Sequence, residues 1–205
     1  MEHIEKGKKK LIRKIIVFLV RIFSKVVFRV KLVGKENVPK EGAYIMCANH
    51  LPNWDPPIIV SCTKRVLHVM AKEELFKNKF IHWLAKKVCV FPVKRGKMDL
   101  ESIKHSLKVL NSGEILMLFP EGTRKGLEKN GKAQNGAAFM ALRTGVPVIP
   151  VLIEGKMKPF TKVTVYYGKP IDYSKYKTNK PDKELLEKIS KDIMDNIIRL
   201  TSKQN

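Results

Sequence analysis

After Gly34, short apolar runs alternate with helical patterns, and this alternation constrains the fold more than any other feature of the sequence. The run Ile115–Phe119 is apolar at every position, which is typical of a strand covered by helices on both faces of its sheet. The pattern therefore predicts an α/β layer fold. The predicted strands are 28–33, 43–48, 66–70, 89–93, 115–119, 147–153 and 162–167, and the predicted helices are 56–62, 73–86, 99–111, 133–143 and 182–201.

Residues 11–30 have a different pattern, an amphipathic helix with a basic stripe. The longest unbroken apolar run, Ile15–Val20, is six residues, whereas a bilayer-spanning helix needs about 20. No small-residue cleavage pattern of a signal peptide follows. We therefore predict that residues 1–33 form a helix in the membrane interface, followed by one α/β domain over 34–205. The alternative is a helix packed on the protein's own core.

The charge balance is strongly basic, with 41 Lys plus Arg against 19 Asp plus Glu and a formal net charge of +22. Such a charge attracts nucleic acid, anionic bilayers, acidic carrier proteins or phosphorylated substrates. A nucleic-acid-binding module predicts exposed aromatic residues interleaved with Lys and Arg. Because Phe28, Phe91, Phe119 and Phe139 lie inside apolar runs, we expect an anionic membrane surface as a partner and no nucleic acid.

The cysteines and histidines predict neither a disulfide framework nor a metal site. Cys47, Cys62 and Cys89 form no C-x-x-C pair and lie in apolar surroundings, which is typical of reduced, buried thiols in a protein that faces the cytosol. None of the five histidines has the spacing to a second histidine or cysteine that a zinc site uses. We expect no metal and no cofactor.

His50 and Asp55 follow the predicted strand 43–48, and Pro56-Pro57 marks the first turn of the next helix. The two side chains therefore lie in a strand-to-helix loop, where ligand sites of open α/β sheets gather. A histidine is the usual general base near neutral pH, and a carboxylate can fix its tautomer. Two other interpretations remain open: Asp55 as a helix N-cap before proline, and His50 as an ordinary loop histidine.

Two further segments offer cations for an anionic substrate. Glu121-Gly122-Thr123-Arg124 follows the buried strand 115–119 and should share its sheet edge with His50. Gly122 allows close approach of the backbone, and the planar guanidinium of Arg124 suits phosphate. Arg95, after the strand 89–93, is a second candidate. A plain surface turn and a solvated basic strand end are the respective alternatives.

No G-x-S-x-G nucleophile motif is present in the sequence, which argues against a serine hydrolase. A His–carboxylate pair without a nucleophile fits direct transfer, in which the base deprotonates an acceptor hydroxyl that attacks an acyl carbonyl. The apolar segment Val146–Val151, with two prolines, is interpreted as an edge of the sheet that is structural or lines a hydrophobic slot.

The segments at His50–Asp55, Cys89–Gly96, Phe119–Arg124 and Val146–Val151 resemble, in this order, the four blocks of the glycerolipid acyltransferase family of the lysophosphatidic acid acyltransferase type. Three positions depart from the usual family pattern: Pro52 replaces a frequent Ser, Cys89 a frequent Gly, and Lys125 a Ser that often follows the arginine. None of these changes removes a charged or titrating residue, so they bear on the choice of acceptor.

The resemblance implies an α/β enzyme with a mixed, largely parallel sheet flanked by helices. It implies transfer of an acyl group from acyl-CoA or acyl-acyl carrier protein to lysophosphatidic acid, giving phosphatidic acid at the cytoplasmic face of the membrane, with peripheral or monotopic attachment. His50 is then the base and Asp55 its partner, while Arg95, Glu121, Gly122, Thr123 and Arg124 form the acceptor-phosphate site. Glycerol 3-phosphate or another lysophospholipid is the alternative acceptor.

Overall fold

The structure is a computed structural model. It describes residues 2–50, 63, 65–93, 99–120, 135–156 and 158–202. Several predictions fall outside these ranges: the helix 56–62, Cys62, Asp55, Arg95 and the segment from Glu121 to Arg124.

The described residues form seven strands and five α-helices, close to the predicted pattern. The strands are β1 (Lys31–Val33), β2 (Tyr44–Ala48), β3 (Leu67–Lys72), β4 (Val90–Val93), β5 (Ile115–Leu118), β6 (Val148–Gly155) and β7 (Val163–Tyr167). The α-helices are α1 (Glu2–Phe28), α2 (Lys79–Lys87), α3 (Leu100–Asn111), α4 (Gly136–Thr144) and α5 (Lys183–Ser202). Short 3-10 helices occupy Lys35–Asn37, Glu73–Lys77 and Ser174–Tyr176.

The strands form one sheet in the order β1-β7-β6-β2-β5-β3-β4. Every pairing is parallel except that of β6 with β7. The predicted mixed, largely parallel sheet flanked by helices is thus confirmed. The order places β2 between β5 and β6, both parallel to it, so the carboxyl ends of these three strands meet at one edge of the sheet.

Side chains alternate between the two faces of the sheet, as strand geometry requires. On one face, here called the α1 face, Tyr44, Met46, Ile115 and Met117 form a core with Phe28 at the end of α1. On the other, the α5 face, Ile45, Cys47 and Leu116 pack with apolar residues of α3, α4 and α5. The sheet therefore has helices on both sides, which explains why β2 and β5 are apolar at every position.

The predicted helix 73–86 is wrong as a single helix. Glu73–Lys77 is a 3-10 helix, and α2 begins only after Asn78, whose carbonyl oxygen accepts a hydrogen bond from the His82 amide at 2.9 Å. Asparagine is favoured at such helix starts because its side chain competes with helical hydrogen bonds. The apolar periodicity continues through this break, so the pattern alone could not locate it.

The prediction that Val146–Val151 forms a sheet edge is also wrong, because β6 lies between β7 and β2. Proline lacks a backbone donor and usually avoids interior strands. Pro150 is tolerated because it falls at an interruption, between an isolated bridge of Val148 to Ile171 and the β6–β7 ladder that starts at Val151. Its carbonyl oxygen still accepts from the Gly168 amide at 2.8 Å.

The two described cysteines differ from each other. Cys47 is fully buried in β2, and burial raises the pKa of its thiol far above the usual range. Cys89 is only partly buried, which corrects the prediction for that residue, and its backbone is left-handed with φ of 60°. Glycine adopts that conformation most easily, which gives a physical reason for the glycine that resembling sequences often have there.

Candidate active site

His50 lies just beyond the carboxyl end of β2, at the centre of the sheet. All five residues of β2 are buried, and its two neighbours run parallel to it. A loop that leaves the middle of three parallel strands opens at the edge where α/β proteins bind ligands. The predicted position of His50 at such an edge is therefore confirmed.

Asn49 fixes the backbone next to His50. Its side-chain Nδ2 donates to the carbonyl oxygen of Ile153 at 3.0 Å, and its Oδ1 accepts from the Ile153 amide at 2.7 Å. The side chain is 6% exposed. The amide group thus extends the pairing of β2 with β6 by one step after the strand has ended. Buried hydrogen bonds of this kind each contribute about 1 kcal/mol to stability, and the loss of one partner leaves the other buried without a hydrogen bond.

Phe119 covers one face of the His50 imidazole. The two ring centroids are 4.3 Å apart and the rings are nearly parallel, at 14°. Phe119 directly follows β5 and packs against the α1 face. Phe119 is also the first residue of the segment Phe119–Arg124, so the start of this segment contacts the histidine of the segment His50–Asp55. The expectation that the two motifs share a sheet edge holds at this described residue.

The segment Cys89–Gly96 begins at the outer edge of the sheet. It contains β4, which is the outermost strand and is separated from β2 by β3 and β5. Three strand spacings amount to about 14 Å. Arg95 lies outside the described residues, and so do Asp55 and Glu121 to Arg124. The structure therefore brings together His50 and Phe119 and leaves the other predicted site residues as predictions.

Helix α1 is tied to the chain that follows the His50 loop. Arg21 Nη2 donates to the carbonyl oxygen of Thr63, and Thr63 is 7% exposed. Burial lowers the pKa of the Arg21 guanidinium from its ordinary value. The sequence pattern places Arg21 in the basic stripe of the predicted interfacial helix, near the lipid phosphates, and does not indicate this internal bond.

Asn49 was also missed as a site residue, although the sequence held a signal for it. It is the first polar residue after the fully apolar part of β2, and a buried amide there must find partners. The partner itself, Ile153, is 104 positions away and could not be identified from the local pattern.

The described part of the chain contains no helix that is both long and apolar enough to cross a bilayer. Many apolar side chains of α1 are nevertheless exposed to solvent. Those exposed by 40% or more are Ile12, Ile15, Phe18, Leu19, Ile22, Phe23 and Val26.

Residues 29–154 match the model of a family described as Acyltransferase. The chain is 30% identical over 181 residues to a 1-acyl-sn-glycerol-3-phosphate acyltransferase of Bacillus subtilis, which covers 85% of this chain and 89% of that protein. It is 32% identical over 164 residues to the enzyme of the same name from Streptococcus pneumoniae, covering 77% of this chain and 60% of that one.

A solved structure agrees with the fold. The crystal structure of the 1-acyl-sn-glycerophosphate (LPA) acyltransferase PlsC from Thermotoga maritima matches with a TM-score of 0.70 and 27% sequence identity. The match covers 98% of this chain and 83% of that chain. The family match includes His50, Phe119 and β6, which are the elements that build the edge described above. The chain therefore belongs to the acyltransferase family, among enzymes of the 1-acyl-sn-glycerol-3-phosphate acyltransferase type.

Proposed function

We propose that this enzyme transfers an acyl group from acyl-CoA or acyl-acyl carrier protein to the free hydroxyl of lysophosphatidic acid, giving phosphatidic acid for phospholipid synthesis. The observation that carries the proposal is the His50 position, pinned through Asn49 to β6 and stacked on Phe119 at the central sheet edge. The named activity of the Bacillus subtilis and Thermotoga maritima relatives supports the choice of acceptor.

In the proposed reaction His50 acts as a general base. Its Nδ1 is buried within the protein, and we therefore assign the role of the base to Nε2. Nε2 accepts the proton of the acceptor hydroxyl as the oxygen attacks the thioester carbonyl. The tetrahedral intermediate then expels the thiolate of the donor, which takes up the proton, and no acyl-enzyme forms. A general base of this kind contributes on the order of 10²–10⁴ in rate.

Asp55 is proposed to hold the imidazole in the productive tautomer and to stabilise the imidazolium. Arg95 and the segment Glu121, Gly122, Thr123 and Arg124 are proposed to bind the phosphate of the acceptor. The remaining rate enhancement comes from holding two substrates together and from stabilising the oxyanion. No cofactor takes part in this scheme.

The exposed apolar side chains of α1, together with its basic stripe, support attachment to an anionic membrane surface, proposed here as the cytoplasmic face of the cell membrane. The acceptor is a lipid with one chain in the bilayer, so an enzyme on that surface can take it without extracting it. The formal charge of +22 favours anionic lipid and anionic donors near the site.

The test is an acyl-transfer assay with purified full-length protein and lysophosphatidic acid, in which labelled acyl-CoA and acyl-acyl carrier protein are offered in parallel. Labelled phosphatidic acid in one arm supports the proposal and identifies the donor. Parallel reactions with glycerol 3-phosphate and with another lysophospholipid test the alternative acceptors. If only one of these is acylated, the proposed acceptor is wrong while the reaction type stands.

A further inference from the structure

The connection between β6 and β7 exposes an aromatic side chain among lysines. Phe160 is 68% exposed, more than any other large apolar residue whose exposure the structure describes. Lys156, Lys158 and Lys162 around it are also exposed. A lone exposed apolar residue is ordinary, but the backbone of this connection is unusual.

The backbone of Phe160 is held in an unfavourable conformation. Its φ is 63°, a left-handed value that bulky side chains avoid. The Phe160 amide donates to the carbonyl oxygen of Val27 at 2.5 Å, and Thr161 Oγ1 donates to the carbonyl oxygens of Lys158, at 2.6 Å, and Lys156. A conformation of this kind persists only where surrounding contacts enforce it, and it is a recognised feature of functional segments.

A glycine makes the connection possible. Gly155 ends β6 with φ of 140°, and a Cβ there would lie 2.6 Å from the carbonyl oxygen of Lys162. The two ends of the connection therefore lie in close contact, with Gly155 paired to Val163 across the antiparallel strands. The protruding aromatic residue belongs to a built turn, fixed at its base by Gly155 and at its tip by α1.

This turn lies at the same edge of the sheet as His50. Strand β6 runs parallel to β2, so its carboxyl end at Gly155 points the same way as the end of β2. Two residues before Gly155 is Ile153, the partner of Asn49. The hydrogen bond to Val27 also places the Phe160 backbone at the end of α1, where the preceding residue, Val26, is 63% exposed.

We propose that Phe160 and its flanking lysines form a second contact with an anionic bilayer, which holds the catalytic edge of the sheet against the lipid surface. The inference rests on the proposed membrane-bound function and adds a second attachment point to α1. An exposed apolar ring enters the acyl boundary, and cationic side chains around it lie at the level of lipid phosphates. One helix alone leaves the domain free to rotate about it, whereas a second contact beside His50 fixes which edge meets the lipid.

The experiment measures binding of the full chain to vesicles of phosphatidylcholine mixed with phosphatidylglycerol. Phe160→Asn removes the ring and places a residue that tolerates the left-handed conformation, so folding is retained and is verified by thermal unfolding. We expect binding to weaken about tenfold. The matched control is Ile198→Asn, an exposed apolar residue of α5 on the opposite side of the sheet (46% exposed), which should leave binding unchanged.

The variant Phe160→Trp reports directly whether this side chain enters the bilayer. Its binding should match that of the wild type, and the fluorescence added by the new tryptophan should shift to shorter wavelength when mixed vesicles are present. Lys158→Glu combined with Lys162→Glu should weaken binding at low salt more than at high salt. Vesicles of phosphatidylcholine alone should bind all of these variants weakly.

The proposal is overturned if Phe160→Asn binds the mixed vesicles like the wild type, or if the Phe160→Trp emission does not move. It is also overturned if Phe160→Asn loses binding to acyl carrier protein while its vesicle binding is unchanged, because the turn would then be a protein-docking surface. The readout is vesicle binding, so a wild-type protein without acyl transfer would refute the proposed reaction and leave this test intact.

Discussion

Helices α5 and α1 have similar amphipathic patterns but opposite environments. In α5 the apolar positions Ile189, Ile193 and Ile197 are at most 3% exposed and pack under the α5 face of the sheet. In α1 most of the apolar side chains whose exposure is described stay in solvent, among them Leu19 at 57% and Val26 at 63%, and Phe28 at its end is the one that is fully buried in the core. The same periodicity thus occurs in a core helix in one case and, in the other, in a helix that contacts the rest of the protein but leaves most of its apolar side chains exposed.

The difference shows that a hydrophobic stripe predicts a helix and a buried face but does not identify what buries it. The sheet supplies the partner of α5. For α1 the sheet supplies a partner only at its carboxyl end, and further contacts come from α2 and from the Arg21 bond to Thr63. Phe119 and the end of α1 both pack on the α1 face of the sheet, and His50 is stacked on Phe119, so the site and the exposed apolar side chains of α1 lie on the same side of the sheet.

The largest expected effect is on catalysis, and it should be separable from membrane binding. His50→Ala should lower kcat by about 10²–10⁴, because the general base is lost, while vesicle binding and thermal unfolding stay as in the wild type. Steady-state kinetics and vesicle sedimentation on the same preparation check both expectations. Wild-type turnover by this variant would contradict the assignment of His50.

On the α5 face of the sheet, a substitution should lower stability and leave catalysis nearly unchanged. Ile193→Ala removes a side chain that is 0% exposed, and we expect a loss of about 2–5 kcal/mol in the free energy of unfolding. Chemical denaturation measures this loss. At temperatures where the variant is folded, kcat should change little. A loss below about 1 kcal/mol would mean that α5 is not the core helix described here.

A substitution at Asn49 should lower both stability and catalysis. Asn49→Ala leaves the buried amide and carbonyl of Ile153 without their partner, which should cost about 1–3 kcal/mol of stability. It should also lower kcat more than it raises KM, since His50 loses its fixed position.

The control for Asn49 is Asn37→Ala, which removes a bond from Nδ2 to the carbonyl oxygen of Tyr167 at 2.9 Å. Tyr167 lies at the opposite edge of the sheet, because β7 is antiparallel to β6. This control should lose stability without losing kcat. Equal effects of the two variants on kcat would argue against a positioning role for Asn49.

The smallest effect on stability is expected in α1. Leu19→Ala should change the free energy of unfolding by no more than about 0.5 kcal/mol, because the side chain is already largely in solvent. The same variant should weaken vesicle binding measurably, since it removes apolar area from the proposed lipid contact. Strong destabilisation with unchanged vesicle binding would instead favour a core helix, the alternative left open by the sequence.

Much of the fold follows from local pattern. The seven strands, helices α3, α4 and α5 and the position of His50 after a buried strand were predictable within a few residues. The helix break at Asn78 and the interior position of β6 were not. The apolar periodicity continues through Asn78 and so carries no signal of the break, and the interior position of β6 depends on the pairing order of distant strands.

The sequence by itself determined the secondary structure, the family and the histidine, because these depend on periodicity and on residues close together along the chain. Only the tertiary structure decided which side chains surround that histidine. Asn49 reaches Ile153 across 104 positions, Phe119 meets His50 from the next strand of the sheet, and Phe160 meets the end of α1. These contacts depend on the order in which strands pair, and the pairing order is fixed by the packing of the whole sheet.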